Sequence, residues 1–498
     1  MDIKSGCDPE GVRLPIKIDS TSNGEFLPRP LERHNELSNA LALERANTNR
    51  RRLGQSRRDF LISSCGAATT LLAMNEVRAA TGQTGSYFAL PAEAAMEEAA
   101  AASVLEGNEF IFDVQGHHIG DFEKWRVGVK RSLSFGFRFF APHHGCDYRL
   151  PNDAIGGLNC LTGDAYIKEV FLDSDTQLAV LSTGPLKDRE LLPEYGEAAA
   201  TRAAVDALSG TKRLMIHGRC MPTYPGELEG MFEIAERWGI CAWKSYTQFG
   251  PNETGYYLDD EEFGAPFIDN ARRTGIKVIC VHKGLPFPQM GSDNLKYRLC
   301  RDIGPAARQN PDITFIVYHS GYDPETPEGP YQKGGGSGID VLIDSLQDNG
   351  IGHDGNVYAE LGSTWHTVMR DPEQAAHVIG KLLKYVGEDR VIWVTDCIWY
   401  GSPQDQIQAF RAFQISDEYQ QRYGYPKITT EIRRKVFGLN AAGPYQISPQ
   451  EISRALQGDD IDQMKTAYAA RPDPTFTTYG PRTRREFLSF LREEAEHG

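Results

Sequence analysis

The chain is 498 residues long, with 40% hydrophobic and 24% charged residues, the balance of an ordinary globular protein with ample material for a core. Its net charge of −15 and the lack of any excess of Lys and Arg argue against a general nucleic-acid or anionic-membrane binder, and no apolar run approaches the ~20 residues of a membrane helix. Nine cysteines occur without a CxxC pair or zinc-finger spacing, so they give neither a metal motif nor a readable disulfide framework.

Residues 1–55 are polar and charged and show no apolar period, which predicts a disordered N-terminal extension. Ser56-Arg57-Arg58-Asp59-Phe60-Leu61-Ile62 and the weakly apolar run to Met74 resemble a twin-arginine export signal over 56–82. Val77-Arg78-Ala79-Ala80 is then a small-residue cleavage zone, and the protein is exported to the periplasm. The alternative is a basic amphipathic N-terminal helix on a cytoplasmic protein. The run 91–105, LPAEAAMEEAAAASV, is rich in helix formers and predicts a linker helix within 83–107.

From 108 to 447 strand-like and helix-like segments alternate. The strand candidates are 110–115, 177–183, 213–217, 240–246, 276–282, 313–319, 357–362 and 391–396. Each is short and nearly continuously apolar, as strands buried on both faces read. Helical segments are predicted at 192–209, 227–238, 261–274, 298–309, 338–349 and 372–385, the last opened by Asp371-Pro372-Glu373 as N-cap and first-position proline. Eight such units are the count of a (β/α)8 TIM barrel in the α/β class. The competing doubly wound sheet calls for a G-x-G-x-x-G after its first strand, and none is present. A long insertion after the first strand, 116–176, carries SFGFRFFAPHHG and is expected to fold over the barrel mouth. Gly334-Gly335-Gly336-Ser337-Gly338 reads as a flexible hinge or lid rather than a phosphate cradle. Residues 448–498 form a helical C-terminal extension, with an amphipathic helix over 482–496 that packs on the barrel or on a second subunit.

Chemistry-bearing residues recur where these strands end. Gln115 and His117 close the first, His217 and Arg219 the third, and His282 and Lys283 the fifth. Lys244 lies on the fourth, His319 closes the sixth, Glu360 lies on the seventh, and Asp396 closes the eighth. A barrel assembles its active site from this face, and a buried aspartate needs a partner or a metal.

This set resembles the amidohydrolase superfamily, in particular the amidohydrolase-related branch that also contains metal-dependent decarboxylases. That pattern is HxH after the first strand, His after the fifth and sixth, and Asp after the eighth; here the positions hold Gln115-x-His117, His282, His319 and Asp396. Val436-Phe437-Gly438-Leu439-Asn440-Ala441-Ala442 is similar to the G-x-N-A-A helix that closes such domains. The resemblance implies one divalent ion, Zn²⁺, held by His117, His282 and Asp396 with Gln115 nearby. It implies Asp396 as general base and His319 as the group polarising a carbonyl. Gln115 is the departure, since an amide oxygen substitutes poorly for imidazole on zinc.

Three activities follow as expectations. The first is metal-dependent hydrolysis of a small anionic organic substrate, with Arg219, Lys244, Lys283, His217 and Glu360 as substrate-binding candidates. The second is metal-dependent, non-oxidative decarboxylation of an aromatic or enoic acid. The third is a decayed barrel acting as a binding protein, which Gln115 motivates. The family also implies a possible homodimer, and for some members a carboxylated lysine at the place of Lys244.

Overall fold

The computed structural model describes residues 13–18, 21–120, 161–184, 194–288, 294–336, 338–474, 476, 478, 480–488 and 492. Most of the insertion after the first strand, including SFGFRFFAPHHG, and residues 489–491 and 493–496 of the predicted C-terminal helix lie outside the described residues.

The described residues of the N-terminal stretch 1–55 expected to be disordered, 13–18 and 21–55, are packed on the fold. Helix α1 spans Arg33–Leu53 and ends on Gly54 in the left-handed region, a conformation glycine adopts without a Cβ clash. Its buried face is made of His34, Asn35, Ser38, Ala42, Ala46 and Asn49, small and polar residues rather than a stripe of Leu. That is why periodicity did not reveal it. The arginine pair opens α2, Arg57–Ile62, which Ser56 caps by accepting from Asp59 N–H. Helix α3, Ser64–Ala80, buries Cys65, Ala67, Ala68, Leu71 and Met74 in one hydrophobic core with Phe60, Ala42 and Ala46. The stretch read as an export signal thus contributes a buried helix to this core.

The linker helix predicted within 83–107 is shorter. Residues Ser86–Phe88 form strand β1, and α4 covers only Glu98–Leu105.

All eight predicted strands are present. They are β2 Phe112–Gly116, β3 Leu178–Leu181, β4 Leu214–Ile216 continued by β5 Gly218–Arg219, β6 Trp243–Tyr246, β7 Val278–His282, β8 Thr314–Tyr318, β9 Val357–Glu360 and β10 Val391–Ile392. One further strand, β11 Phe413–Ile415, pairs antiparallel with β1. Strands β2 to β4 pair in parallel and in chain order, and β5 to β10 do the same. The β4–β5 strand joins the two groups into one parallel series. A parallel bridge between Gly116 and Cys397, with His117 N–H donating to Cys397 O and Ile398 N–H to His117 O at 3.1 Å, sets the end of the first strand against the segment that follows the last.

The eighth strand is shorter than expected because side chains and a helix replace its ladder. Trp393 N–H donates to Val436 O, and Thr395 N–H to Asp113 Oδ1 at 3.2 Å. Asp396 then takes a φ of 60°, a conformation uncommon outside glycine. The helix cap at Asp371 with Pro372 forms as expected, accepting from Gln374 N–H. Residues 298–309 instead split into two short turns and the helix Ile303–Gln309. In the C-terminal extension, Ser448 caps Pro449–Leu456 and a further helix spans Asp460–Ala469.

Candidate metal centre at the strand ends

Two groups of side chains meet at this end of the strands. The first is built on β2 and the turn after β10. His117 Nδ1 donates to Ser182 O at 2.8 Å. That bond fixes the ring and leaves Nε2 facing inward, as the outer hydrogen bond of a ligating histidine does. Nε2 lies 3.2 Å from Asp396 Oδ1. Gln115 Nε2 donates to the same Oδ1 at 3.0 Å and lies 2.9 Å from His117 Nε2. The amide is thus turned nitrogen-first toward Asp396 and His117. Its oxygen is buried without a hydrogen-bond partner among the described residues. Gln115 was expected near the ion as a weak oxygen ligand; in the structure it serves as a donor to the aspartate. His118 points elsewhere, with Nδ1 on Ile119 O and Nε2 on Thr201.

The second group is His282 at the end of β7 and His319 just past β8, whose ring centroids are 4.6 Å apart. His319 Nδ1 donates to Gly362 O at 2.7 Å, again freeing Nε2. Neither nitrogen of His282, nor His319 Nε2, has a hydrogen-bond partner among the described residues, although both rings are fully buried. Burial pushes the His319 imidazole down to about 4 and His282 well below its ordinary value. Both rings are therefore neutral at pH 7, the form that binds metals. An orphaned buried nitrogen costs stability unless something fills the role, and a cation would do so here.

Two residues absent from the sequence reading complete the centre. Asn23 Nδ2 donates to Asp396 Oδ2 at 3.0 Å. The Glu25 carboxylate lies 3.6 Å from His282 Nε2 and 3.8 Å from His319 Nε2. Glu25, His282 and His319 form a cluster whose ligand atoms all lie within 4.8 Å of one another. Nothing in residues 21–26 has a motif, so pattern reading had no signal to find them.

Charge is distributed unevenly. Burial pushes the Asp396 carboxyl up, but the hydrogen bond and charge of His117, with His319 and the Ser363 hydroxyl, outweigh it. Asp396 is held well below the usual carboxylate range. Burial and the neighbouring Asp396 charge push Glu25 up.

The remaining predicted site residues divide. Lys244 is fully buried, with Nζ 3.0 Å from the Tyr318 ring centroid. Its amine has no hydrogen-bond partner among the described residues, and burial pushes it down to about 7. Glu360 accepts from the backbone N–H groups of His319 and Gly362, and burial raises it to about 8. His217 Nε2 meets the Tyr445 hydroxyl at 3.0 Å beneath the site. Arg219 and Lys283 are not spare cations at the mouth. Arg219 pairs with Glu227 at 3.2 Å, and Lys283 forms a fully buried pair with Asp302 at 2.8 Å. Beside His282, Tyr246, Phe249 and Phe287 form a separate apolar cluster with Met221. Phe287 lies 4.8 Å from the His282 ring and 4.7 Å from Phe249, centroid to centroid.

Among the described residues no helix is long and apolar enough to cross a membrane. No curated protein matches the chain. Several solved structures are similar. An uncharacterized TIM-barrel protein from Bordetella bronchiseptica is 14% identical over 70% of this chain and 99% of its own, with a TM-score of 0.41. 5-Carboxyvanillate decarboxylase from Novosphingobium aromaticivorans, with bound manganese, is 15% identical over 69% and 98%, with a TM-score of 0.40. 2,6-Dihydroxybenzoate decarboxylase from Rhizobium is 12% identical over 68% and 99%, with a TM-score of 0.35. The amidohydrolase family model (Amidohydro_2) matches residues 225–447, the stretch that carries β6 to β10, His282, His319, Asp396 and the closing Asn440-Ala441-Ala442 helix. Over that stretch the chain matches the amidohydrolase family that its strand-end residues resemble.

Proposed function

We propose that this protein is a metal-dependent hydrolase acting on a small organic substrate. The observation that carries the reading is the pair His282 and His319. Both are buried and neutral, and each turns an Nε2 without a hydrogen-bond partner among the described residues toward the Glu25 carboxylate. The donor set of imidazole and carboxylate suits Zn²⁺. His282 and His319 would hold the ion, with His117 and Asp396 beside it. A bound ion supplies Lewis acidity, polarising a carbonyl and acidifying water.

The chain's own residues do the rest. Asp396 is ionised and its two oxygens are oriented by Gln115, Asn23 and Ser363, so it is the site's base. His117 is held in place by Ser182 O, with its Nε2 3.2 Å from Asp396 Oδ1. Lys244, near neutrality in its protonation, is the cation left to meet a substrate anion. Burial of the Tyr246, Phe249 and Phe287 cluster excludes water on the His282 side.

That aromatic wall also favours a second reading, non-oxidative decarboxylation of an aromatic acid, in which the ring packs on Phe287 and Phe249 and the carboxylate faces the ion. One assay separates the two. The full-length chain is loaded with Zn²⁺ or Mn²⁺ and offered ester, amide and hydroxybenzoate substrates, with CO₂ release measured beside hydrolysis. Hydrolysis without CO₂ supports the first reading, and stoichiometric CO₂ the second. Elemental analysis tests what both share. Less than a few tenths of an ion per chain, unaltered by His282→Ala, sinks both and favours a binding protein.

A further inference from the structure

The strand ends provide fewer charges than a metal centre of this type needs. On the first strand the position before His117 is Gln115, which presents its amide nitrogen to Asp396. Asp396 itself is heavily engaged. Its Oδ1 meets Gln115 and His117, and its Oδ2 accepts from Asn23 and the Ser363 hydroxyl. The two histidines with free nitrogens face Glu25 instead.

We infer that Glu25, delivered by the N-terminal segment and not by any barrel strand, is a ligand of the metal together with His282 and His319. This inference rests on the metal-dependent reading above. Distances favour it. Two donors each about 2.1 Å from a tetrahedral zinc lie about 3.4 Å apart. The Glu25 carboxylate stands 3.6 and 3.8 Å from the two Nε2 atoms, close to that separation and too long for hydrogen bonds. The 3.2 Å between His117 and Asp396 is by contrast a hydrogen-bond length. The three residues sit at the spacing of side chains around a shared ion.

The segment is also built to hold Glu25 there. Gly24 turns the chain at a φ of 95°, where any Cβ is disfavoured. The Ser22 hydroxyl bridges the turn, accepting from Gly24 N–H at 3.0 Å and donating to Phe26 O. Glu25 N–H donates to Asn23 Oδ1 at 3.1 Å. Across the mouth, Phe287 N–H donates to Glu25 O at 2.7 Å. Ile16, Ile18 and Phe26 are buried on either side and anchor the turn to the core. The Glu25 side chain also accepts from Asn23 Nδ2 at 3.0 Å, so one asparagine bridges the carboxylates of Glu25 and Asp396. A surface tail has no reason for such bracing. A ligand held within a fraction of an ångström does.

The test reads metal binding, not turnover. The metal-stripped, full-length chain is titrated with Zn²⁺ alone in competition with a chromophoric chelator. Wild type is expected to take one ion per chain. Glu25→Gln, the same shape without the charge, is expected to bind at least tenfold more weakly while its metal-free melting temperature matches that of wild type. Glu25→Met, which offers no oxygen or nitrogen donor, decides the matter where the amide disturbs the fold, and the same loss is expected. Wild-type affinity in either folded variant, with His282→Ala losing the ion, overturns the role of Glu25 and leaves the metal-dependent reading standing. A wild-type chain that binds no ion overturns both.

Discussion

Asn23 Nδ2 donates to Asp396 Oδ2 at 3.0 Å, so a side chain from the N-terminal layer completes the hydrogen-bond shell of the aspartate that ends the eighth strand. A hydrogen bond to a charged group contributes about 1.5–3 kcal/mol. Asn23→Ala should cost stability of that order. Asn23→Asp should cost more at neutral pH, because it sets a second carboxylate against Asp396. Like-charge repulsion raises the pKa of the pair, so the extra cost is present above the carboxylate range and shrinks as pH falls through it. Thermal melts of both variants between pH 4 and 7 check this; an Asn23→Asp deficit that stays constant with pH contradicts it.

Lys283 and Asp302 form an ion pair at 2.8 Å with both side chains fully buried. Lys283 was a substrate-binding candidate, and the structure gives it a structural task. Removing one partner of a buried pair strands the other charge, at about 3–5 kcal/mol. Lys283→Met should therefore unfold at lower denaturant concentration, and Lys283→Met/Asp302→Leu should recover much of the loss. KM for any substrate should change little in the folded fraction. A large KM effect at unchanged stability would return Lys283 to the substrate.

Lys244 offers a pH signature. Burial lowers its amine from the ordinary lysine value to about 7. Between pH 7 and about 10 the unfolded chain holds a proton on this group that the folded chain does not, so its contribution makes stability rise with pH there. Below pH 7 the full cost of burying the charge is present in the folded state. Lys244→Met removes the group. The slope of unfolding free energy against pH in that window should then be shallower in the variant by up to about 1.4 kcal/mol per pH unit, as measured by denaturant titrations at pH 7, 8 and 9.

Gln115→His places an imidazole beside His117 and Asp396. If Glu25 serves the His282–His319 side, this variant builds a second donor set rather than repairing the first. Elemental analysis should then find more than one Zn²⁺ per chain. A stoichiometry unchanged from wild type would mean that the two groups share one ion.

The parallel series was legible because strands buried on both faces cannot alternate polar and apolar residues, and His117, His282, His319 and Asp396 stand at the ends of such runs. The structure brings all four to one place. Arg219 and Lys283 were misjudged as free cations because their partners Glu227 and Asp302 lie 8 and 19 positions downstream, beyond any local pattern. The N-terminal layer was illegible for a different reason. Helix α1 buries Asn35, Ser38 and Asn49, and Asn49 reaches Thr69 at 3.3 Å and Ala95 O at 3.2 Å. Burial by small residues and hydrogen-bonded amides leaves no apolar stripe to read.

The bridge between Gly116 and Cys397, with Asn23 bonded to Asp396, also bears on how the protein comes into being. Its metal centre draws on residues from 23 to 396, so no nascent chain can assemble it until nearly four hundred residues have left the ribosome. Chains emerge at about 5–20 residues per second. For tens of seconds of synthesis His117 therefore waits for Asp396, and Glu25 for His282 and His319. Assembly of the candidate centre is then a late event in synthesis, and a truncated product that stops short of the eighth strand lacks the aspartate that Gln115, Asn23 and Ser363 hold.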